Sequence, residues 1–160
     1  MQMTLTTYDE ELCRKIEPHV STTRERFEVL MRCKELGIPT LVWMTPILPF
    51  INDTRENIEG LLDYCLLAGV QGILVFDVGV TLREGDREYF YQALDRDFPS
   101  IRQKYISTYG NAYDIPSPYA KELMALIQNT CVANGMLCSP KECFTYLHEF
   151  PERYVQQTLF

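Results

Sequence analysis

Thiols, carboxylates, imidazoles and phenols are the side chains whose spacing in this chain tests for chemistry. Cys131, Cys138 and Cys143 lie close together, and grouped thiolates can hold zinc or an iron–sulfur cluster. Their gaps of seven and five residues match none of the common ligand spacings, and burial as small apolar side chains is the alternative. Cys13, Cys33 and Cys65 fall within helical patterns, so reduced thiols are expected. The two histidines, His19 and His148, have no ligand partner at i+3 or i+4 and read as surface and packing residues. Asp77 interrupts the apolar run 73–78 close to its end, and a carboxylate buried there requires a partner. Arg83 stands a few residues on and predicts an ion pair. Tyr105, Tyr109 and Tyr113 flank Gly110, Asn111 and Ala112. Such rings can stack nucleobases, although the acidic surroundings oppose a nucleic acid. No Gly-rich phosphate loop, G-x-S-x-G elbow or paired metal-ligand motif occurs.

Strands alternating with helices must position these groups. Residues 2–7 read as a short strand, followed by a helix from about Asp9 to Ile16. Thr22 with Glu25 forms a capping-box pattern that opens a second helix, stopped at Gly37. Ile38, Leu41, Val42, Trp43 and Met44 form an apolar run, the pattern of a strand covered on both faces. Pro46 and Pro49 end that 38–48 strand along a stiff edge, the place where parallel α/β folds bind ligands. Asp53 with Glu56 predicts the cap of a helix bearing Ile58, Leu61, Leu62 and Cys65, closed by Gly69. A strand over 70–78 and a helix from about Asp86 complete a third unit. Ser117 with Pro118, and Ser139 with Pro140 and Glu142, open two helices of a tail.

With 160 residues, 46% of them apolar, the chain has enough material for one domain with a real core. A net charge of −7 opposes a general electrostatic grip on nucleic acid or an anionic membrane. No apolar run approaches the roughly 20 residues of a membrane span, and the N-terminus lacks a signal-peptide tract, so a cytoplasmic protein is expected. The fold class expected is α/β, with three successive parallel βα units in residues 1–115 and a helical tail over 116–160 packed on the same domain. Three strands cannot close a barrel and leave two open edges. The domain is therefore expected to be incomplete, with a segment missing upstream of Met1.

Three runs in order, TTYDEELCRKIEP (6–18), MTPILPFIND (44–53) and GVTLREGDREYFYQAL (79–94), together with YLHEF (146–150), carry a resemblance over nearly the whole chain. It resembles the C-terminal half of radical S-adenosylmethionine proteins of the spore photoproduct lyase type, akin to DNA repair photolyase-like proteins. The resemblance implies part of a (β/α)6 partial TIM-like barrel, S-adenosylmethionine and a [4Fe-4S] cluster in the full-length protein, and radical lyase- or transferase-type chemistry. The CxxxCxxC loop that holds the cluster is absent here, so this chain alone is expected to be inactive and to bind neither group by itself. It also implies that Thr4 and Thr6 approach the ribose and methionine carboxylate, where the family often has serine at the first position. Met44 and Pro46 then form the adenine shelf with Asn52 beyond it, and Asp77 joins the cofactor-binding set. Strand packing and turn formation are the other readings of these residues.

The partners implied are the missing N-terminal half of the barrel or a second copy paired through the open sheet edges. Nucleic acid stays open as a substrate inherited from the family alone, and no hydrogen-atom donor for lesion repair is readable. A short α/β binding or assembly module is the alternative function, and an unrelated α/β enzyme ranks last.

Overall fold

The computed structural model describes residues 1–149; residues 150–160 of the expected tail, with Phe150 of the YLHEF run, lie outside the described part. The elements in order are β1 Gln2–Thr4, α1 Glu10–Ile16, α2 Thr23–Glu35, β2 Leu41–Trp43, α3 Arg55–Ala68, β3 Gly72–Leu74, β4 Gly79–Thr81, α4 Asp86–Asp97, α5 Ile101–Tyr109, β5 Asp114–Pro116, α6 Ala120–Ala133 and α7 Pro140–His148. Strands β1, β2 and β3 pair in parallel in that order, with Met3 opposite Val42 and Val42 opposite Ile73.

Local chemistry sets the helix ends. Thr22 accepts from the Glu25 amide while the Glu25 carboxylate accepts from the Thr22 amide, a complete capping box. Phe27, Leu30 and Cys33 are then buried at helical spacing along α2. Gly69 closes α3 in the left-handed conformation, at φ 63°, where a side chain would be strained. The cap at the start of α3 is Thr54, which accepts from the Asn57 amide, and not the expected Asp53. Asp53 is buried instead and accepts a 2.5 Å hydrogen bond from Ser117, tying the start of α3 to the segment that leads into α6.

The barrel-arc fold class is overturned. After β3 the chain does not proceed to a third βα unit of one sheet: β4 pairs antiparallel with β5 in a separate two-stranded sheet, with Val80 opposite Ile115. Helices α4 and α5 span the interval between those two strands and close a second core of Leu82, Tyr91, Leu94, Tyr105 and Ile115. The strands of the parallel sheet are also short, at three residues each. Pro39 has no amide hydrogen to extend β2 at its start, and Pro46 blocks it beyond Met44.

Helices α6 and α7 pack on the two faces of the parallel sheet. Val42 and Ile73 pack with Leu30 of α2, Leu61 of α3 and Ile127 of α6 on one sheet face. Leu41 and Leu74 pack with Cys143 of α7 on the other. The outer edge of β3 is also taken: Leu137 accepts from the Ile73 amide at 2.8 Å and donates to the Gln71 carbonyl at 2.9 Å. The chain segment between α6 and α7 thus covers an edge that a barrel would give to its next strand. The architecture is mixed α/β, with a parallel three-stranded sheet, a separate antiparallel pair and, among the described residues, seven helices.

Candidate functional site

A cleft of about 460 Å³ opens at the C-terminal end of the parallel sheet. One wall comes from β1, the loop after it and the end of α1, with Thr4, Thr6 and Glu17; the floor is apolar, from Pro46, Leu48, Ile51 and Val80; α4 and its end supply the facing wall, with Tyr89, Phe90, Leu94 and Phe98. The Thr6 hydroxyl donates to Glu17 Oε1 at 2.6 Å. Arg26 donates to the other oxygen, Glu17 Oε2, at 2.5 Å and to the Thr4 carbonyl at 3.1 Å. The Arg26 and Glu17 side chains are only 11% and 24% exposed, so the pair is poorly screened and fixes the carboxylate beside the cleft.

Two buried amides hold the strand end in place. Asn52 donates to the Thr6 carbonyl at 2.9 Å and to the Thr7 hydroxyl at 3.0 Å, while its own oxygen accepts from the Leu48 amide at 2.6 Å. Asn57 donates to the same Thr6 carbonyl at 3.0 Å and accepts from the Tyr8 amide at 2.7 Å. Residues 6–8 leave the sheet with no strand beyond them, and these side chains replace the ladder that ends there.

Charge gathers at the cleft rim. Lys15 places its ammonium 5.8 Å from the centre of the Phe98 ring. The Arg96 guanidinium, hydrogen-bonded to Asp97, holds that carboxyl below its ordinary range, and Lys15 adds to the shift. Both signs of charge therefore flank an apolar interior that ends in hydroxyl and carboxylate groups. Such a lining suits a ligand with an apolar ring and a polar, multiply hydroxylated or zwitterionic end.

The residues anticipated from sequence land in three environments. Thr4, Thr6 and Pro46 line the cleft. Met44 is fully buried in the main core, and Asn52 is a buried scaffold amide 1% exposed. Asp77 is exposed, accepts from the Val78 amide, and lines a neighbouring groove with Thr45, Phe76 and Asp114. The expected Asp77–Arg83 ion pair is absent among the described residues; Tyr113 beside Arg83 raises its pKa instead. A carboxylate in water needs no partner, and that removes the reason to expect one.

Glu17, Arg26 and Asn57 were missed in the sequence. Glu17 sits inside the TTYDEELCRKIEP run, but nothing in its spacing shows that it meets Thr6 across 11 positions. Of the three tyrosines, Tyr105 is fully buried and donates to the Pro49 carbonyl at 2.7 Å, Tyr109 donates to the Pro116 carbonyl at 2.5 Å, and Tyr113 is exposed. All six cysteines are free thiols, and among the described residues no group of three or more His, Cys, Asp or Glu side chains is arranged to hold a metal ion. Among the described residues, no such set offers the three thiolates of a [4Fe-4S] cluster. No helix among the described residues is long and apolar enough to cross a membrane.

No family model and no solved structure matches the chain. Over 115 residues it is 30% identical to the uncharacterized protein Rv2578c of Mycobacterium tuberculosis (strain H37Rv) and, equally, to the uncharacterized protein Mb2609c of Mycobacterium bovis. The match covers 72% of this chain and 33% of each relative, so the chain spans about a third of the length of the curated relatives it matches.

Proposed function

We propose that the chain is the C-terminal segment of a radical S-adenosylmethionine protein of the spore photoproduct lyase type, and that the cleft receives the nucleoside and methionine ends of that cofactor. The observation that carries this reading is convergence. The three runs that resemble the family are far apart in sequence, yet Thr6 and Glu17 of the first, Pro46 and Leu48 of the second, and Val80 and Phe90 of the third line one cleft. The donor set suits the ligand: Thr4 and Thr6 hydroxyls with the Glu17 carboxylate for ribose hydroxyls and an ammonium group, and Pro46, Leu48, Ile51 and Val80 for the adenine face. In the full-length family, a [4Fe-4S] cluster held by another segment would supply the electron for reductive cleavage of S-adenosylmethionine. This chain's part is to bind and orient the cofactor, with Glu17 held in position by Arg26 and the apolar walls keeping water from the adenine. The cluster thiolates must come from another segment, and the chain alone is inactive.

The same reading sets the protein in the cytoplasm, with the cluster-bearing half as its partner. The edge for that contact is β1, because the edge of β3 is occupied by Leu137. Homodimerisation through that edge would instead favour a short assembly module. No observation on this chain favours DNA as the substrate.

The test is a titration with S-adenosylmethionine followed by amide NMR. Without the cluster as an anchor, affinity in the millimolar range, on the order of −4 kcal/mol, is expected, with shifts confined to Thr4, Thr6, Glu17 and Val80. Val80→Arg fills the cleft and should abolish the shifts while leaving the fold intact. No saturable shift up to about 10 mM, or shifts that persist in Val80→Arg, would reject the assignment.

A further inference from the structure

Asn57, Gly60 and Tyr64 stand at i, i+3 and i+7 of α3 and so share one helix face, and together they receive Tyr8. The Tyr8 amide donates to the Asn57 side-chain oxygen at 2.7 Å. Its ring lies directly on the helix at Gly60: a Cβ there would stand 2.4 Å from Tyr8 Cγ and 2.6 Å from each Cδ, closer than a side chain tolerates. The Tyr8 ring centre is 5.1 Å from that of Tyr64, which is stacked in turn at 4.1 Å on Phe27 of α2. Tyr8 is still 43% exposed, so its apolar burial is a weak reason to keep a glycine inside a 14-residue helix, where alanine is favoured.

A more specific consequence lies two residues back. The Asn57 side chain that accepts from the Tyr8 amide also donates to the Thr6 carbonyl at 3.0 Å. Residues 6–8 therefore rest on α3 through two hydrogen bonds and one ring, and Thr6 carries the hydroxyl that meets Glu17 at the cleft.

We infer that Gly60 and Tyr8 are positioning residues for the cleft: the notch at Gly60 sets how closely residues 6–8 approach α3, and thereby where the Thr6 hydroxyl stands for a ligand. This rests on the cleft being the cofactor site proposed above. Both residues lie outside the cleft lining and act through Thr6. The atom nearest the notch is Tyr8 Cγ, at the root of the ring, so a methyl group at position 60 is not accommodated by a shift of the ring's far end. The displacement passes to the Tyr8 backbone, loosens its bond to Asn57 and moves Thr6, whose bond to Glu17 at 2.6 Å has little slack.

The test compares S-adenosylmethionine binding by amide NMR in the native chain, Gly60→Ala, Tyr8→Ala and Tyr8→Phe, with a urea midpoint for each. Gly60→Ala fills the notch and Tyr8→Ala empties it, and each should raise Kd about tenfold, the worth of one misplaced hydrogen bond. The double variant should bind no more weakly than either single, because both act through one contact. Tyr8→Phe keeps the ring and should return native affinity. Without ligand, the two weakened variants should shift the Thr6 amide resonance and speed hydrogen exchange at the amide of residue 8. A contact that only stabilises the fold would move the urea midpoint and leave the Kd of the folded chain unchanged, and that result overturns the inference. So would a ring that swings into solvent in Gly60→Ala with both amides unmoved. A native chain that does not bind S-adenosylmethionine would reject the cofactor assignment itself, and this role with it.

Discussion

Removal of the Asn52 amide should loosen the strand end that forms one wall of the cleft, and its cost follows from the bonds it makes. In Asn52→Ala the Leu48 amide hydrogen loses its acceptor and the Thr7 hydroxyl loses a donor, both at a site 1% exposed. The Thr6 carbonyl loses one donor but keeps Asn57. An orphaned buried amide costs about 1–3 kcal/mol and each further bond about 1 kcal/mol, so the total is about 3 kcal/mol. Urea unfolding should show that drop at unchanged m-value. The stronger test is a cycle with Asn57→Ala, since either single change leaves the Thr6 carbonyl one donor and the double change leaves it none. The double variant should therefore exceed the sum of the singles by about 1 kcal/mol. A loss below about 1 kcal/mol for Asn52→Ala, or strict additivity in the cycle, would refute the account of a carbonyl doubly held by two amides.

Gly72→Ala should open the β3 edge, because its Cβ would stand 2.6 Å from the Leu137 carbonyl oxygen and 2.7 Å from its Cβ. A backbone oxygen cannot yield locally, so about 1–3 kcal/mol of stability should go, and the Ile73 amide should lose hydrogen-exchange protection; retained protection would count against the edge cover. Burial holds the Asp53 carboxyl above its ordinary range, opposed by the Ser117 hydrogen bond. Its folded pKa lies above its unfolded value, so stability is fully present below the unfolded pKa of about 3.9 and is lost as pH rises through the folded pKa. Asp53→Asn, which keeps an acceptor for Ser117, should thus gain on the native chain at neutral pH and lose that gain below about pH 4; a pH-independent difference in urea midpoints would contradict this. Glu17→Ala should leave Arg26 without its carboxylate and cost about 2–4 kcal/mol by urea unfolding, with near-zero loss marking the pair as solvent-screened.

Much of the helical frame was legible because caps and stops act locally. Thr22 with Glu25, Ser139 before Pro140 and Gly69 after Ala68 each state an end within a few residues. Sheet membership is not local. Val70–Val78 reads as one apolar run, yet only Gly72–Leu74 joins the parallel sheet, and Gly79–Thr81 turns to pair with Asp114–Pro116 more than 30 residues on. At Gly79 the Ile115 carbonyl oxygen stands 2.5 Å from where a Cβ would be, so that pairing depends on a glycine whose isolated sequence signal is weak. Helix α5 was missed because its Ser100 start bears no side-chain cap bond and its chief anchor, Tyr105, is buried against a partner 56 positions away. Cleft residues from the recognised runs were partly legible: Thr4, Thr6 and Pro46 face it, whereas Met44 follows the alternation of β2 into the core.

The cleft lies between two hydrophobic clusters, and that division has consequences for how it works. Its polar wall is fixed to the larger cluster through Asn52, Asn57 and the Arg26–Glu17 pair. Its facing wall is α4, which buries Tyr91 and Leu94 in the smaller cluster and leaves Tyr89 71% exposed above the opening. Groups that orient a polar ligand thus sit on the rigid side, where hydrogen bonds set distances. The facing side is shaped by packing alone, and its Tyr89 and Phe98 rings set what else can enter. Variation in α4 should therefore change which second molecule fits beside the ligand without moving the Thr6 and Glu17 oxygens. Variation at Asn52 or Asn57 should move those oxygens and weaken every ligand alike.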